Sequence, residues 1–346
     1  MRWIYDKPAF PKPPLGKPPE FLNENAIQIP TRSHANRAVA LLKSGSTNAG
    51  RAVDDYFSIL AESLEAFRIP VEELGEPAFD DAIIQNIESF LPYRDEFITV
   101  VSAFSRYWRV DDDRPLPRLF EKLIPYMFRP KSLMSYQDWY WDNFSFIVHE
   151  MFLYAISFLL KQERFDAVLE LMSQNYYVAD ALDDLREPMQ PFSVMRRYMQ
   201  SLEHRNRRLK LNRLSVRADM LEQRSHTSGL PFVNLMQADF VLFFYEAITS
   251  YRAKKTERWW PETLVYYRDY GPPFEIFARA ESLNYFRKIS PLIAVKNKTE
   301  LGEMIELFGI QNAPIRLPYW NYHPSISLQT ATSWTLLSTP RGSRLS

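Results

Sequence analysis

Residues 144–160 read FSFIVHEMFLYAISFLL, and the fold follows from this stretch. It is apolar on every side of a helix, broken chiefly by the neighbouring pair His149 and Glu150. A helix that is hydrophobic all round lies at the centre of a large fold or in a membrane. The run falls short of the roughly 20 apolar residues that a span needs. Residues 230–249 look similar but carry Asp239 and Glu246. Both stretches therefore read as core helices of a soluble, cytoplasmic protein. The opening MRWIYDKPAF lacks the apolar run of a secretory signal.

Outward from this centre the pattern stays helical from about residue 33 to residue 310. Val53, Phe57, Leu60, Leu64 and Phe67 alternate steps of four and three, one face of a 3.6-residue helix, and Pro70 stops it. Ile83, Ile84, Ile87, Phe90 and Leu91 repeat the pattern up to Pro92, before Phe97–Trp108 resumes it. Leu119, Leu123 and Met127 mark another helix, interrupted by Pro125. Phe165, Val168, Leu169 and Met172 follow, and further helices are expected near 192–204, 213–226, 231–253, 261–269, 274–288 and 299–308. No run of alternating β-branched residues interrupts them, so the expected fold is all-α: one multi-helix domain over 32–312. Residues 1–31 form a proline-rich arm, either a disordered terminus or a segment that docks through Trp3, Ile4, Tyr5 and Phe10. Residues 313–346 form a Ser/Thr-rich tail in which Ile326, Leu328, Thr330, Thr332, Trp334 and Leu336 alternate like a strand. Ile87–Tyr93 echoes Phe120–Tyr126, but a solenoid needs about three copies.

Composition excludes several chemistries. Forty-two Lys and Arg balance 42 Asp and Glu, which argues against a dedicated nucleic-acid coat. The absence of cysteine removes disulfides, thiolate metal sites and cysteine nucleophiles. Nine glycines, against about 24 at average usage, leave little backbone for close approach to phosphate. Gly45–Ala52 has the glycine spacing of a phosphate loop, yet Arg51 and Ala52 replace the lysine and hydroxyl that the chemistry needs. It reads instead as a helix–helix turn capped by Ser46 or Thr47. Asp111–Asp113 lacks calcium-loop spacing and reads as a solvated loop. No metal site and no cofactor are expected.

Two features remain as candidate sites. His149 and Glu150 could act as an acid/base pair; the structural alternative is a core histidine bonded to a neighbouring helix, with Asp138, Asp142 or Asn143 as partners. The strongest charge feature is the segment holding Arg196, Arg197, Arg205, Arg207, Arg208, Lys210, Arg213 and Arg217, opposed within it only by Glu203. It fits a surface for RNA, DNA, nucleotide or an acidic partner, with Tyr198, Trp259 and Trp260 as stacking groups. The alternatives are a solvated linker and a salt-bridged seam to Asp180–Glu187.

Within that segment Arg197 and His204 are separated by six residues, a spacing that resembles the signature of HEPN-family ribonucleases. The resemblance implies a metal-independent ribonuclease in which Arg197 stabilises charge and His204 handles the proton. Tyr198 stands where the family places a polar residue, and Arg316 and His323 show the same spacing in a proline-broken segment. A second resemblance rests on Asp142-Asn143-Phe144, His149–Tyr154, Arg164-Phe165, Tyr176-Tyr177-Val178, Arg217-Ala218-Asp219, Met236–Asp239 and Trp260-Pro261. Together these blocks resemble the helical C-terminal region of uncharacterised bacterial defence and conflict-system proteins. That resemblance implies a non-enzymatic sensor or scaffold subunit with its effector on a separate chain, since only the arm precedes the helical body. The expected partner is a protein, engaged through Met1–Thr31 or Ser325–Ser338, with no membrane involved.

Overall fold

The computed structural model describes residues 29–70, 78–109, 114–129, 136–178, 187–255, 259–267 and 273–309. The arm up to residue 28, Asp111–Asp113, residues 179–186 and the tail from 310, including Ser325–Ser338, lie outside the described residues. The all-α expectation holds for the rest. Helices α1 (Arg32–Ser44), α2 (Ala49–Ser63), α3 (Phe79–Ser89), α4 (Leu91–Tyr107) and α5 (Pro115–Leu123) lead to α6 (Asp142–Lys161). After it come α7 (Phe165–Ser173), α8 (Gln200–Arg208), α9 (Val216–Ser225), α10 (Phe232–Arg252), α11 (Glu275–Arg279), α12 (Leu283–Ile289) and α13 (Lys298–Gly309).

Every residue of α6 from Asp142 to Leu160 is buried, as its all-round apolar pattern requires. At 1.5 Å per residue it runs about 30 Å through the body. Helices α3, α4, α5, α7 and α10 all pack on it. Among the described residues it is the one helix long and apolar enough to cross a membrane, and its apolar stretch is buried inside the protein. Its hydroxyls are absorbed locally: Ser145 donates to the Trp141 carbonyl at 3.1 Å and Ser157 to that of Leu153 at 2.7 Å.

The breaks are where proline and glycine place them. Pro92 sits in the first turn of α4, where its missing N–H costs nothing, so the chain bends at Phe90 and starts a new helix. Pro125 likewise opens a 3₁₀ turn, Ile124–Met127, at the end of α5. The segment with phosphate-loop spacing is a helix–helix turn, with Gly45 at φ +65° closing α1. Its expected cap is corrected: Asn48, not Ser46 or Thr47, holds the N-cap position of α2, and Ser46 Oγ accepts from the Asn48 N–H at 3.2 Å. At the arm's end Ile29 is buried, and the Thr31 hydroxyl donates to Glu96 on α4.

Three expectations shift. The helix expected at 192–204 is a 3₁₀ turn, Phe192–Met195, then an extended stretch, then α8. The helix expected at 261–269 is a 3₁₀ turn, Glu262–Tyr266, and that expected at 274–288 is two helices, α11 and α12. A minimal ribbon also appears, Asn175–Tyr177 antiparallel to Met189–Pro191, with Tyr176 opposite Gln190. Three-residue strands are too short for their period of two to register in a sequence.

Candidate functional site

Adjacent residues on a helix point about 100° apart, so His149 and Glu150 enter different surroundings. Glu150, fully buried, takes a bidentate pair from Arg224 on α9: Nε to Oε1 at 2.9 Å and Nη2 to Oε2 at 2.7 Å. Arg94 of α4, also fully buried, stands 3.6 Å from the same carboxylate. Arg94 further donates to the Arg224 carbonyl at 2.7 Å and the Thr227 hydroxyl at 2.8 Å, and pairs with Asp95 at 2.6 Å. Glu88 adds a second carboxylate to Arg224 at 3.1 Å.

His149 faces Arg196, Arg217 and Trp259, its ring 5.4 Å from that of the tryptophan. Neither ring nitrogen has a protein partner among the described residues, which corrects the expectation of a bonded core histidine. The expected partners are engaged elsewhere. Asp142 accepts from the Ser201 N–H at 2.8 Å and hydroxyl at 2.6 Å, while Asn143 donates to the Phe67 carbonyl and the Asn86 side chain. The side chain of Asp138 lies outside the described residues. Burial, reinforced by the two arginines, holds the imidazole well below its usual range and therefore neutral. Burial pushes the Asp142 and Asp239 carboxyls up to about 6 against their hydrogen bonds. For Asp239 those donors are Trp259 Nε1 at 2.7 Å and the Thr263 N–H and hydroxyl. Glu262 is the shared counterion, 2.8 Å from Arg196 and 3.2 Å from Arg217.

The basic segment folds into a seam against carboxylates, rather than into an open positive surface. Arg205 reaches Asp80 at 3.2 Å, and Arg208 grips the same buried carboxylate at 2.7 and 3.0 Å. Both also pair with Asp81, in the first turn of α3. Arg213 forms a bidentate pair with Asp219 at 2.6 and 2.7 Å, joined by the Tyr266 hydroxyl. Arg217 donates to the Arg197 carbonyl, and Arg197 donates to the Met127 carbonyl while its guanidinium lies 4.3 Å over Phe128. Arg207 and Lys210 remain exposed; Arg207 makes a loose 4.0 Å contact with Glu203. The seam's carboxylates come from α3, α9 and the 262–266 turn, and 180–186 of the expected Asp180–Glu187 partner segment lie outside the described residues.

The geometry also separates Arg197 from His204. Arg197 precedes α8, whereas His204 lies within it, its ring tilted against that of Phe79 at 4.7 Å and 3.6 Å from Asp80. The two residues therefore do not share one helix face. Tyr198 is exposed, but Trp259 is buried against Phe192 and Phe152, so the expected stacking platform is not assembled there. Among the described residues no three His, Asp or Glu side chains converge as a metal ligand set.

Sequence reasoning missed the concave surface. Helices α1 and α4 run side by side, and two clefts lie along their seam and share Thr99. The first, about 430 Å³, is lined by Arg32, Asn36, Pro92, Asp95 and Glu96. Burial raises the Glu96 carboxyl, while Thr31 and Arg32 act against that. The second, about 370 Å³, is rimmed by Lys43, Arg106, Lys161 and Tyr107, with Ser228 and Gly229 at its edge. These cations come from the last turns of α1, α4 and α6, three helices distant in sequence, so no linear charge run announces them. Comparison with protein-family models, curated proteins and solved structures finds no match to this chain.

Proposed function

We propose that this chain is a non-enzymatic helical binding module, a scaffold whose α1–α4 groove receives an extended segment of a partner protein. The observation that carries this reading is that two clefts lie along the α1–α4 seam and meet at Thr99, which lines both. From Arg32 in the first to Lys43 in the second, the two clefts together follow α1 for about 16 Å, the length of roughly five extended residues. The resemblance to helical regions of bacterial defence proteins fits the same reading, with the effector on a separate chain and both in the cytoplasm. The reading gives Arg196–Arg217 an architectural role, because its carboxylate partners already occupy most of it.

A photo-crosslinking amino acid placed at Asn36 or Thr99 in the full chain, expressed in the native host, tests it. The expected result is one discrete protein adduct from groove positions and none from Arg207 or Lys210. Adducts that form equally from both surfaces, or only from the basic segment, overturn the groove as the binding face. Cleavage of RNA by the purified chain that disappears in His204→Ala would restore the ribonuclease reading.

A further inference from the structure

Resting on that groove reading, we propose that Lys43, Arg106 and Lys161 form an anion subsite that selects a carboxylate-rich partner segment. All three are exposed, and none makes an ion pair or side-chain hydrogen bond among the described residues. No Asp or Glu lines the cleft that they rim. Other described cations, Arg37 and Arg51 among them, also lack a carboxylate, but these three line one cleft together, whereas Arg94, Arg205, Arg208, Arg213 and Arg224 are each held by a carboxylate.

Each of the three closes a helix, where a cation complements the partial negative charge of the helix end. That accounts for one cation at each position, and the magnitudes then decide what remains. A helix end carries roughly half a negative charge, so three of them leave about +1.5 of three full charges unopposed. A residual of that size suits one or two carboxylates. A phosphate backbone needs a longer positive track, which a chain of zero net charge with a neutralised basic segment does not supply. The lining is mixed, with Val39, Ile98 and Phe158 beside the hydroxyls of Thr99, Ser102 and Ser228, so the segment is amphipathic, an apolar residue beside its acidic ones. Polarity follows as well. Asp95 and Glu96 edge the opposite cleft, so the acidic end of the segment lies toward Lys43 and its other end toward Arg32.

The test uses the full chain and a fluorescein-labelled hexaglutamate peptide carrying one leucine, with the glutamine version as control. Fluorescence anisotropy is read from about 50 to about 300 mM salt. The triple variant Lys43→Glu, Arg106→Glu, Lys161→Glu is expected to weaken hexaglutamate binding about tenfold or more, and Arg207→Glu with Lys210→Glu to leave it unchanged. Glutamine peptide that binds as well as glutamate overturns the subsite while leaving the groove standing. Equal losses in both variants overturn it too. An oligouridylate that binds more tightly than hexaglutamate, and loses that binding in the triple variant, replaces the acidic protein segment with a nucleic acid. Failure of the crosslinking test with intact hexaglutamate binding would remove the groove reading alone.

Discussion

Removing Glu150 should expose how far the fold depends on charge inside its central helix. The carboxylate is fully buried, receives two short bonds from Arg224 and lies 3.6 Å from Arg94. In Glu150→Gln both guanidinium groups stay buried while the counterion they share is gone. Glu88 and Asp95 still compensate, but they are about one-third and one-half exposed and work through solvent-screened geometry. Removing one partner of a buried pair costs about 3–5 kcal/mol, and nothing here argues for the low end beyond those two carboxylates. At about 2–4 °C per kcal/mol for a large domain, Tm should fall by about 6–20 °C. The assay is thermal and urea unfolding followed by helical circular dichroism, with the urea slope unchanged. Arg224→Met alone should cost a similar amount by stranding Glu150. The double variant Glu150→Met with Arg224→Met should cost less than either single, because no unpaired charge remains between those two positions. Single losses below about 1 kcal/mol, or double losses equal to the sum within about 0.5 kcal/mol, would refute the account.

Three further outcomes are expected. His149 and the two buried aspartates should pull the pH profile in opposite directions. An imidazole lowered in the fold contributes stability that is present above about pH 6.5 and lost as pH falls; carboxyls raised to about 6 contribute stability that is lost as pH rises from about 4 through 6. His149→Leu removes the first effect, so its urea midpoint should climb as pH falls from 6.5 to 5, while that of the native chain stays flatter; parallel profiles would contradict the assignment. Asp80→Asn should cost about 1.5–3 kcal/mol, and it should also raise the salt needed to elute the chain from heparin, since it removes one of the two carboxylates, Asp80 and Asp81, that hold Arg205 and Arg208. Gly45→Ala should cost about 1 kcal/mol by urea unfolding through its backbone alone, because a Cβ there meets nothing within 4 Å; a much larger loss would mean that the turn packs more tightly.

The helical architecture was legible because its signals are local and redundant. Every side of α6 is apolar, and Pro92 and Pro125 mark real breaks. The segment 192–199 misled because Phe192, Val194, Met195 and Met199 are buried in a non-helical path, where burial rather than helical period decides the residue types. The basic segment misled for a different reason. Charge density along a sequence reports where cations are concentrated, and says nothing of the carboxylates that the fold brings to them. Asp80 lies more than a hundred residues from Arg208, and no spacing rule connects them. The cationic cleft inverts that case: its three charges are scattered in sequence and gathered only because three helices end together.

The interior charge network and the groove are joined through α4. Arg94 points inward and ties the start of that helix to Glu150, the Arg224 carbonyl and Thr227; Asp95 and Glu96, its neighbours, line the first cleft. Thr227 precedes Ser228 and Gly229, which edge the second cleft, so one buried guanidinium is bonded to structure behind both ends of the trough. A groove fixed in this way would meet the proposed partner segment already formed, and binding would then lose little free energy to ordering the receptor. Arg94→Met separates this role from simple stability. A chain that stays folded but binds hexaglutamate several-fold more weakly, although Lys43, Arg106 and Lys161 are intact, is the expected result. Unchanged binding in a destabilised Arg94→Met chain would show instead that the network serves the core alone.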